Sequence, residues 1–400
     1  MQSSPPLIIR GLSTISALGR SSYEAAIVPS LDRAPAARAP FGERRAIFPF
    51  ASAVEVDLGL ISRNPRYDRL DRVTYAALAA VGETLKVANS NRTEVGCFSI
   101  GSSRGPTSSI EATFEAHLHE DGRVPVFTSP CTTAGNISSW VAQEYLARVE
   151  QKVSIASITT SMTCSSAFHS LLVAKGFVGS GMCRAAVFGG AEACLTPYTV
   201  AQLEALRIYT SATDSWPCRP CAAGEDVRSS VALGEGAGTA ILQFCDGVAV
   251  RGDLEVLGLG WSMEEIPSAT GISADGAAFE QSMRMAAGQL RPGVQVDCVV
   301  AHAPGTRRGD EAELQAISRV LGGVGVVSTK HLTGHTYAAS GMLSLALAQA
   351  LLSGESWKGL PYPAQIPAIW RGLPRAIAIN TAGFGGNSIT LIVGLRDAGS

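Results

Sequence analysis

Short apolar runs alternate with runs of helical periodicity along the whole chain, and Gly-rich segments separate many of them. The apolar runs predict strands, whereas apolar positions that recur every three or four residues predict amphipathic helices. In the first part of the chain we predict strands at 7–9, 95–100, 153–158 and 185–188, and a Gly-rich loop leading into a strand within 231–242. We predict helices from Ser21 onward and at 68–88, 138–149 and 164–178, and an irregular surface segment at 34–50.

A second series of the same kind begins near Val248. It predicts strands at 254–259, 296–301, 325–328, 376–380 and 389–393, and helices at 277–289, 310–321 and 338–352. Strands that alternate with helices indicate stacked α/β layers. The two similar series therefore predict a duplicated architecture, with one half at residues 1–247 and the other at 248–400.

Composition fits a folded α/β protein and excludes several classes of function. Of the 400 residues, 46% are apolar and 16% are charged, which favours a large buried core over disorder. A net charge of −2 gives no overall basic field for nucleic-acid binding. The longest apolar stretch is shorter than the ~20 residues of a membrane span, and we see no secretory signal. The nine cysteines, an odd number in mostly apolar surroundings, favour reduced thiols in the cytoplasm.

Cys164 is the strongest candidate for chemistry, because it follows a predicted strand and begins an apolar helix. Unpaired N–H groups at a helix start favour the thiolate and lower the pKa of a thiol. Ser165 and Ser166 supply the small polar residues that a helix start prefers. The plain alternative is a buried structural cysteine, since free cysteines are commonly core residues.

Two histidines in the second half supply what a nucleophilic cysteine needs. His302 ends one predicted apolar strand, and His335 closely follows another. Both lie at the C-terminal ends of strands, where α/β folds collect their functional groups. By contrast, the polar surroundings of His117 and His119 predict surface positions. A cysteine between strand and helix, with two histidines at strand ends, predicts a thiol-transfer site.

Lys330 and the Gly-rich segment 383–387 complete the candidate site. A lysine at the end of an apolar strand needs a carboxylate partner if it is buried, and Glu313 on the preceding helix is the candidate. Segment 383–387 has the sequence GFGGN, whose glycines let backbone N–H groups approach a ligand closely. Phe384 would give its amide to an oxyanion hole, or its ring would move as a gate.

Several separate motifs, in order along nearly the whole chain, resemble those of the elongating β-ketoacyl-acyl-carrier-protein synthases. They include IIRGLSTISALG, the GSSRG turn, TCSSAFHS around Cys164, VALGEGAGTAIL, HAPGTRRGDEAE, STKHLTGHTYAASG and NTAGFGGNS. The resemblance implies catalytic roles for Cys164 as the acyl-accepting nucleophile, His302 and His335 as the histidine pair, and Lys330, Glu313 and the gating Phe384. It implies substrate or carrier-protein binding for Thr306, Gly385, Arg66 and Arg69.

The resemblance also implies a thiolase-like α/β fold of five α-β-α-β-α layers in two pseudo-symmetric halves. The implied reaction is a decarboxylative Claisen condensation, with malonyl carrier protein as the second substrate, in fatty acid, polyketide or polyene-type biosynthesis. Acyl groups would arrive on the phosphopantetheine arm of an acyl carrier protein, with no other cofactor and no metal. We expect a cytoplasmic dimer with no membrane span, either a homodimer or a heterodimer with a chain-length-factor-like subunit.

A basic segment is the candidate docking surface for the acidic carrier protein. Four arginines recur every third residue, at 63, 66, 69 and 72. Asp68 and Asp71 lie between them, so an ordinary self-paired helix face is the alternative. Arg307 and Arg308, near His302, are further candidates for contact with the phosphopantetheine phosphate.

The chain departs from the usual family motifs where the pocket is lined. The departures are Met162 and Thr163 before the cysteine, Pro304 after the first histidine, Asn387 and Ser388 after the GFGG loop, and segment 218–230, which lacks the usual Phe and Arg-Asp-Gly. A proline also removes one backbone donor. These changes alter the pocket lining and leave the catalytic groups in place.

Two other functions stay open on the sequence. A thiolase would carry a second cysteine in a CxGGG-type loop, where this chain has GFGGN. A non-catalytic chain-length partner typically lacks the nucleophile, whereas Cys164, His302 and His335 are all present. Cys218 and Cys221 have the spacing of a zinc or redox pair, but no second pair accompanies them.

Overall fold

The computed structural model of this chain describes residues 5–22, 46–90, 94–119, 122–149, 153–212, 215–224, 228–245, 247, 250–266, 273–357, 359–366, 370 and 372–396. The strands are β1 (Leu7–Ser16), β2 (Gly19–Ser22), β3 (Ile47–Phe48), β4 (Val95–Gly101), β5 (Ala156–Thr160), β6 (Ala185–Glu192), β7 (Leu233–Gly234), β8 (Gly236–Phe244), β9 (Leu254–Met263), β10 (Cys298–Val300), β11 (Gly325–Val327), β12 (Ile377–Gly383) and β13 (Asn387–Leu395). The helices are α1 (Ser52–Ser62), α2 (Arg72–Ser90), α3 (Thr107–His119), α4 (Thr128–Thr132), α5 (Asn136–Leu146), α6 (Ser166–Gly179), α7 (Pro197–Ala205), α8 (Ala277–Ala287), α9 (Arg307–Leu321), α10 (Lys330–Thr333) and α11 (Ser340–Leu352). Short 3₁₀ turns at Thr163–Ser165 and Tyr337–Ala339 precede α6 and α11.

One large sheet has the strand order β11-β10-β12-β13-β9-β1-β8-β6-β4-β5. The antiparallel pair β1 and β9 joins two five-stranded halves at its centre. If the strands of each half are counted along the chain from one to five, both halves have the spatial order 3-2-4-5-1. Both also have the same pairing, with three parallel strands followed by two antiparallel ones. The predicted duplication is therefore confirmed, while the boundary between residues 247 and 248 stays a prediction.

Helices cover and separate the two half-sheets. The central pair, α6 and α11, packs its apolar residues into one core with both halves, so each helix is apolar on most sides. One outer face is covered by α2 and α5, and the other by α8 and α9. The resulting layers are α-β-α-β-α, and the predicted fold class is confirmed. This arrangement brings the start of α6 and the start of α11 together at the middle of the molecule.

Glycines on β8 allow the central helices to approach the sheet. A Cβ atom on Gly238 would lie 2.6 Å from Cβ of Met342 on α11, so a larger residue would push this helix away. Gly238 lies within β8, and β7 comes immediately before this strand. The glycines thus serve close packing of helix on strand.

Three predicted elements differ from the structure. The helix predicted from Ser21 is wrong at its start, because Gly19–Ser22 forms β2 and pairs with β1; residues 23–45 lie outside the described residues. The irregular surface segment is wrong at Ile47–Phe48, which pairs with β7 and is buried. Lys330 begins α10 instead of ending a strand. Helices α1, α3, α4 and α7 were not predicted, because their apolar positions have weak periodicity in the sequence.

Within the described ranges, we find no helix with both the length and the apolar character that crossing a membrane requires.

Candidate active site

Cys164 lies in the 3₁₀ turn Thr163–Ser165, directly before α6. The preceding Thr163 adopts a left-handed backbone conformation with φ of +49°, which is strained for a β-branched residue. Its hydroxyl donates to the carbonyl of Phe384 at 3.4 Å. A Cβ atom on Gly383 would lie only 1.8 Å from that hydroxyl oxygen. The glycine loop therefore packs directly on the turn that presents the cysteine.

The structure brings Cys164, His302 and His335 together. Nε2 of His335 lies 3.0 Å from Sγ of Cys164. The rings of His302 and His335 are 5.5 Å apart at their centroids and meet edge to face at 82°. The three residues are only 4–6% exposed, so the site is nearly shielded from solvent. The cysteine comes from the first half of the fold and the histidines from the second.

Glu313 on α9 holds the backbone that carries the first histidine. Its carboxylate accepts the amide of His302 at 2.8 Å and that of Ala303 at 2.7 Å. Asn380 on β12 donates to the same carboxylate at 3.0 Å. Glu313 was predicted as the direct ion-pair partner of Lys330. This prediction is wrong, because the described side chains of Glu313 and Lys330 form no hydrogen bond or ion pair with each other. Instead, Nζ of Lys330 donates to the carbonyl oxygen of His302.

Lys330 and burial together keep the two histidines neutral. The pKa values of His302 and His335 lie well below the usual value. Burial is the largest cause, and the positive charge of Lys330 lowers both pKa values further. Burial also lowers the pKa of Lys330, while the nearby Glu313 carboxylate opposes this. A neutral imidazole can accept a proton from a thiol or donate one N–H to an anion.

Cys164 is a protonated thiol in the resting structure. Burial raises the pKa of this thiol to about 12, although the Lys330 charge acts in the opposite direction. Burial therefore opposes the ionisation that the helix start favours. Deprotonation must accompany the reaction, and His335 at 3.0 Å is placed to accept the proton.

Asp310 shapes the loop between His302 and α9. Its carboxylate accepts the amides of Thr306 at 3.1 Å, Gly305 at 3.2 Å and Cys221 at 2.8 Å. Gly305 has φ of +90°, a conformation that glycine adopts without strain. Thr306, predicted to bind substrate, is thus fixed by its backbone at the start of α9. The part of the chain that is described has no group of three or more metal-ligating side chains, at Cys221 or elsewhere.

The glycine loop between β12 and β13 is tied to the nucleophile turn by Asn387. Nδ2 of Asn387 donates to the carbonyl of Phe384 at 3.3 Å, and its Oδ1 accepts from the hydroxyl of Ser165. Phe384 and Gly385 are half-buried, and Gly385 has φ of +97°. Asn387 is one of the departures from the usual motif. The departure therefore strengthens the connection between the loop and the cysteine turn.

The predicted basic patch is only partly formed. Arg66 is exposed and donates to the carbonyl of Gln143 at 2.7 Å. Arg69 is exposed, lies 3.6 Å from the Asp68 carboxylate and stacks over the ring of Phe127. Arg72 does not belong to the patch, because it turns inward and forms ion pairs with two glutamates, Glu55 and Glu235. As predicted, His117 and His119 are exposed.

Three polar residues near the cysteine were missed by the sequence analysis. Oγ of Ser340 lies 3.3 Å from Nδ1 of His335. Glu192 is buried at the end of β6, where burial raises its pKa to about 7 and four donors bind its carboxylate. Arg104 lies in the loop between β4 and α3. Only the GSSRG motif, which contains Arg104, gave a signal in the sequence.

Comparison with known proteins agrees with this geometry. Residues 32–244 match the family described as "Beta-ketoacyl synthase, N-terminal domain", and residues 254–357 match "Beta-ketoacyl synthase, C-terminal domain". The chain is 30% identical over 336 residues to a 3-oxoacyl-[acyl-carrier-protein] synthase 2 of Vibrio harveyi, covering 77% of each chain. It is 30% identical over 309 residues to nodulation protein E of Rhizobium leguminosarum bv. trifolii, covering 71% of each.

A similar structure supports the fold. The ishigamide ketosynthase/chain length factor superposes with a TM-score of 0.82 at 20% identity, covering 99% of this chain and all of the other. At that identity the likeness concerns the fold alone. The family matches, the relatives and the site of Cys164, His302 and His335 agree, and we conclude that this chain belongs to the β-ketoacyl synthase family of carbon–carbon bond-forming acyltransferases.

Proposed function

We propose that this protein condenses an acyl group held on Cys164 with a malonyl thioester, using His335 and His302 as its other catalytic residues. The observation that carries the proposal is the 3.0 Å contact between Sγ of Cys164 and Nε2 of a neutral His335. A buried thiol with an imidazole at this distance has its proton acceptor in place.

Acyl transfer to Cys164 is the first step. His335 takes the thiol proton as the sulfur attacks the carbonyl carbon of the incoming acyl thioester. The carbon–sulfur bond to pantetheine breaks, and the proton passes from His335 to the departing pantetheine thiolate. The acyl group is then bound to Cys164, with no net change in protons. Backbone N–H groups of Cys164 and Phe384 are the proposed donors to the oxyanion, and such a donor is typically worth ~3–4 kcal/mol.

Condensation is the second step. Malonyl thioester loses its carboxylate as carbon dioxide, and the electron pair of the broken bond becomes an enolate. His302 donates one N–H to the enolate oxygen. His335 donates from Nε2 in the tautomer whose single proton lies there, with Oγ of Ser340 then donating to Nδ1. The enolate carbon attacks the acyl carbonyl, the bond to Cys164 breaks, and the released thiolate takes a proton from solvent. The product is a 3-ketoacyl thioester.

The pantetheine arm of an acyl carrier protein is the proposed carrier of both substrates. A cavity of about 440 Å³ lies next to the loop after His302, where the amide of Ser230 donates to the carbonyl of Gly305 at 2.8 Å. Its lining combines hydroxyl groups with two arginines, Arg219 and Arg228. Arginine and hydroxyl groups suit a phosphate, so this cavity is the proposed entrance for the arm.

We further propose a dimer formed by a second copy of this chain at the free edge of β5. This strand ends the sheet, and its outer edge has no strand partner among the described residues. Exposed apolar side chains recur in α3 and in the loop before α4, including Phe114, Leu118, Val126 and Phe127. An open strand edge and exposed apolar residues favour association. The similar structure named above is a ketosynthase with its chain length factor, so a heteromeric partner is the other outcome of a test.

Intact-mass analysis after incubation with a panel of acyl carrier proteins tests the function. We expect a mass increase equal to the acyl group, absent in Cys164→Ala. Release of carbon dioxide from malonyl carrier protein by Cys164→Ala would show that the histidine pair acts without the thiol. A folded wild-type protein that takes up no acyl group from any carrier would instead support a non-catalytic, chain-length partner. Cleavage of 3-ketoacyl thioesters by coenzyme A would support a thiolase.

A further inference from the structure

Arg104 lies in the loop between β4 and α3 and carries an unused hydrogen-bond donor. Its backbone amide donates to Glu192 at 3.2 Å, and its Nη2 donates to the side-chain oxygen of Gln202 on α7. Its Nε atom is buried and has no hydrogen-bond partner among the residues that the structure describes. A buried guanidinium donor without an acceptor is costly, so its retention needs an explanation.

The surroundings of Arg104 are those of the reacting sulfur. An apolar cluster contains Cys164 together with Cys194, Val200, Leu203, Tyr209, Val231, Leu233 and Tyr337. Gln202, which holds the guanidinium, is adjacent in sequence to Leu203 of this cluster. The positive charge of Arg104 also lowers the pKa of Cys164 and of Tyr337 against the larger effect of burial. Contacts link Arg104 to the same cluster, because the carboxylate of Glu192 accepts the amide of Arg104 at 3.2 Å and that of Ala338, the neighbour of Tyr337, at 3.4 Å.

Glu192 does not take up the unused donor. Its carboxylate already accepts the amides of Ser103 at 2.8 Å and Arg104 at 3.2 Å, and the hydroxyl of Ser102 at 3.3 Å. Burial raises the pKa of Glu192 to about 7, so its negative charge is incomplete at neutral pH. Nε of Arg104 therefore keeps no acceptor among the described residues.

We propose that Arg104 selects acyl groups that carry an oxygen acceptor, either a carboxylate or a keto oxygen, along the chain bound to Cys164. A saturated hydrocarbon chain leaves the buried guanidinium donor unpaired, whereas an oxygenated chain satisfies it. A hydrogen bond to a charged group contributes enough to discriminate between two such chains by about tenfold or more. This inference rests on the proposed acylation of Cys164 and adds the class of its substrate.

The test compares acylation rates of the full-length protein with three sets of carrier-bound acyl groups of matched length. The sets are simple alkanoyl, oxo-alkanoyl and ω-carboxyalkanoyl groups, each over a range of chain lengths, and intact mass reports the acyl group on Cys164. We expect at least one oxygenated set to react about tenfold faster than the alkanoyl set. A larger effect of the carboxylate identifies charge pairing, and a larger effect of the oxo group identifies a neutral acceptor.

Two variants and one control separate selection from folding. Arg104→Met keeps the length of the side chain but removes its donors, and should equalise the three rates. Arg104→Lys keeps the charge and should lose part of the preference. It supplies the same comparison if the Met variant does not fold. Arg284→Met removes an exposed arginine that pairs with Glu280 on α8, and should leave the preference unchanged. Thermal unfolding checks that each variant is folded.

Equal rates for alkanoyl and oxygenated groups in the wild-type protein would overturn the inference while leaving the proposed function intact. A preference that persists in folded Arg104→Met would also overturn it. A folded wild-type protein that accepts no acyl group of any set would instead refute the proposed function.

Discussion

Sγ of Cys164 and Nε2 of His335 lie 3.0 Å apart, although 171 residues separate them along the chain. The thiol is protonated, since burial raises its pKa to about 12, and the imidazole is neutral, since burial and Lys330 lower its pKa. The pair is therefore a neutral thiol beside a neutral imidazole, and not an ion pair of thiolate and imidazolium. The proton must move while the sulfur attacks.

The pH dependence of acylation follows from this pair. We expect the single-turnover rate of Cys164 acylation to be constant through neutral pH, because neither group titrates there. The rate should fall about tenfold per pH unit only below the pKa of His335, which lies well below 6.5, as the base becomes protonated. The acylation rate is measured by rapid quenching at each pH, followed by intact-mass analysis of the protein. A rate that climbs between pH 7 and 9, as an ordinary thiol ionises, would contradict the assignment.

Lys330→Met tests whether this charge keeps the histidines neutral. Removing a buried positive charge raises the pKa of His302 and His335, so the acid limb of the pH profile should move to higher pH. Lys330→Arg should keep the limb near its original position. Lys86→Met, at an exposed lysine paired with Glu83, is the matched control. An unmoved acid limb and unchanged malonyl decarboxylation in folded Lys330→Met would remove this role.

Ser340→Ala tests the partner of the second ring nitrogen. When His335 accepts the thiol proton, both ring nitrogens carry hydrogen, and Oγ of Ser340 at 3.3 Å is the acceptor for Nδ1–H. We expect kcat for acylation to fall about tenfold with KM unchanged, because the variant loses one hydrogen bond to the charged imidazolium. Ser344→Ala, one turn further along α11 and equally buried, is the control. Equal losses in both variants would indicate a packing effect only.

Charge reversal at Arg66 and Arg69 tests carrier docking. Both side chains are exposed, so the double change to Glu should raise KM for an acidic carrier protein several-fold, more at low salt than at high salt. A short pantetheine thioester, which lacks the carrier, is the reference substrate. Arg284→Glu on the other half is the control variant. Carrier KM values that do not change would show that docking occurs elsewhere.

Changes at the exposed apolar segment test the dimer. Phe114→Glu combined with Val126→Asp places charge in the exposed apolar segment between the start of α3 and the start of α4, and we expect sedimentation to shift from dimer to monomer. Met182→Glu introduces charge at an exposed apolar residue in another turn and should leave the dimer intact. A wild-type protein that sediments as a monomer until a chain-length-factor-like subunit is added would replace the homodimer with a heterodimer.

Periodicity predicted most of the fold because the central layers are strongly patterned. The runs around Val95 and Ala185, and the amphipathic segment after Asp68, all form the predicted type of element. The local sequence pattern did not predict the strand Ile47–Phe48. This strand forms because it pairs with β7, which lies far away in the sequence. The helix at Thr107–His119 was missed because its exposed apolar side chains blur the helical pattern.

The site was predicted through its cysteine and strand-end histidines, but its electrostatics were not. A helix start favours the thiolate, but burial raises the pKa of Cys164, and that burial depends on side chains from both halves. Likewise, the sequence cannot show that Lys330 reaches a carbonyl while Glu313 binds two amides. Such choices among several polar partners are decided by three-dimensional packing.

The antiparallel pair β1 and β9 joins two repeats of one topology, and the reactive groups are divided between them. The sulfur belongs to one repeat, and both imidazoles belong to the other. A change in one repeat can therefore remove one contribution and leave the other in place. In the proposed mechanism, loss of the sulfur ends acyl uptake but keeps the histidine pair, whereas loss of the imidazoles removes both the proton acceptor for acylation and the donors to the enolate.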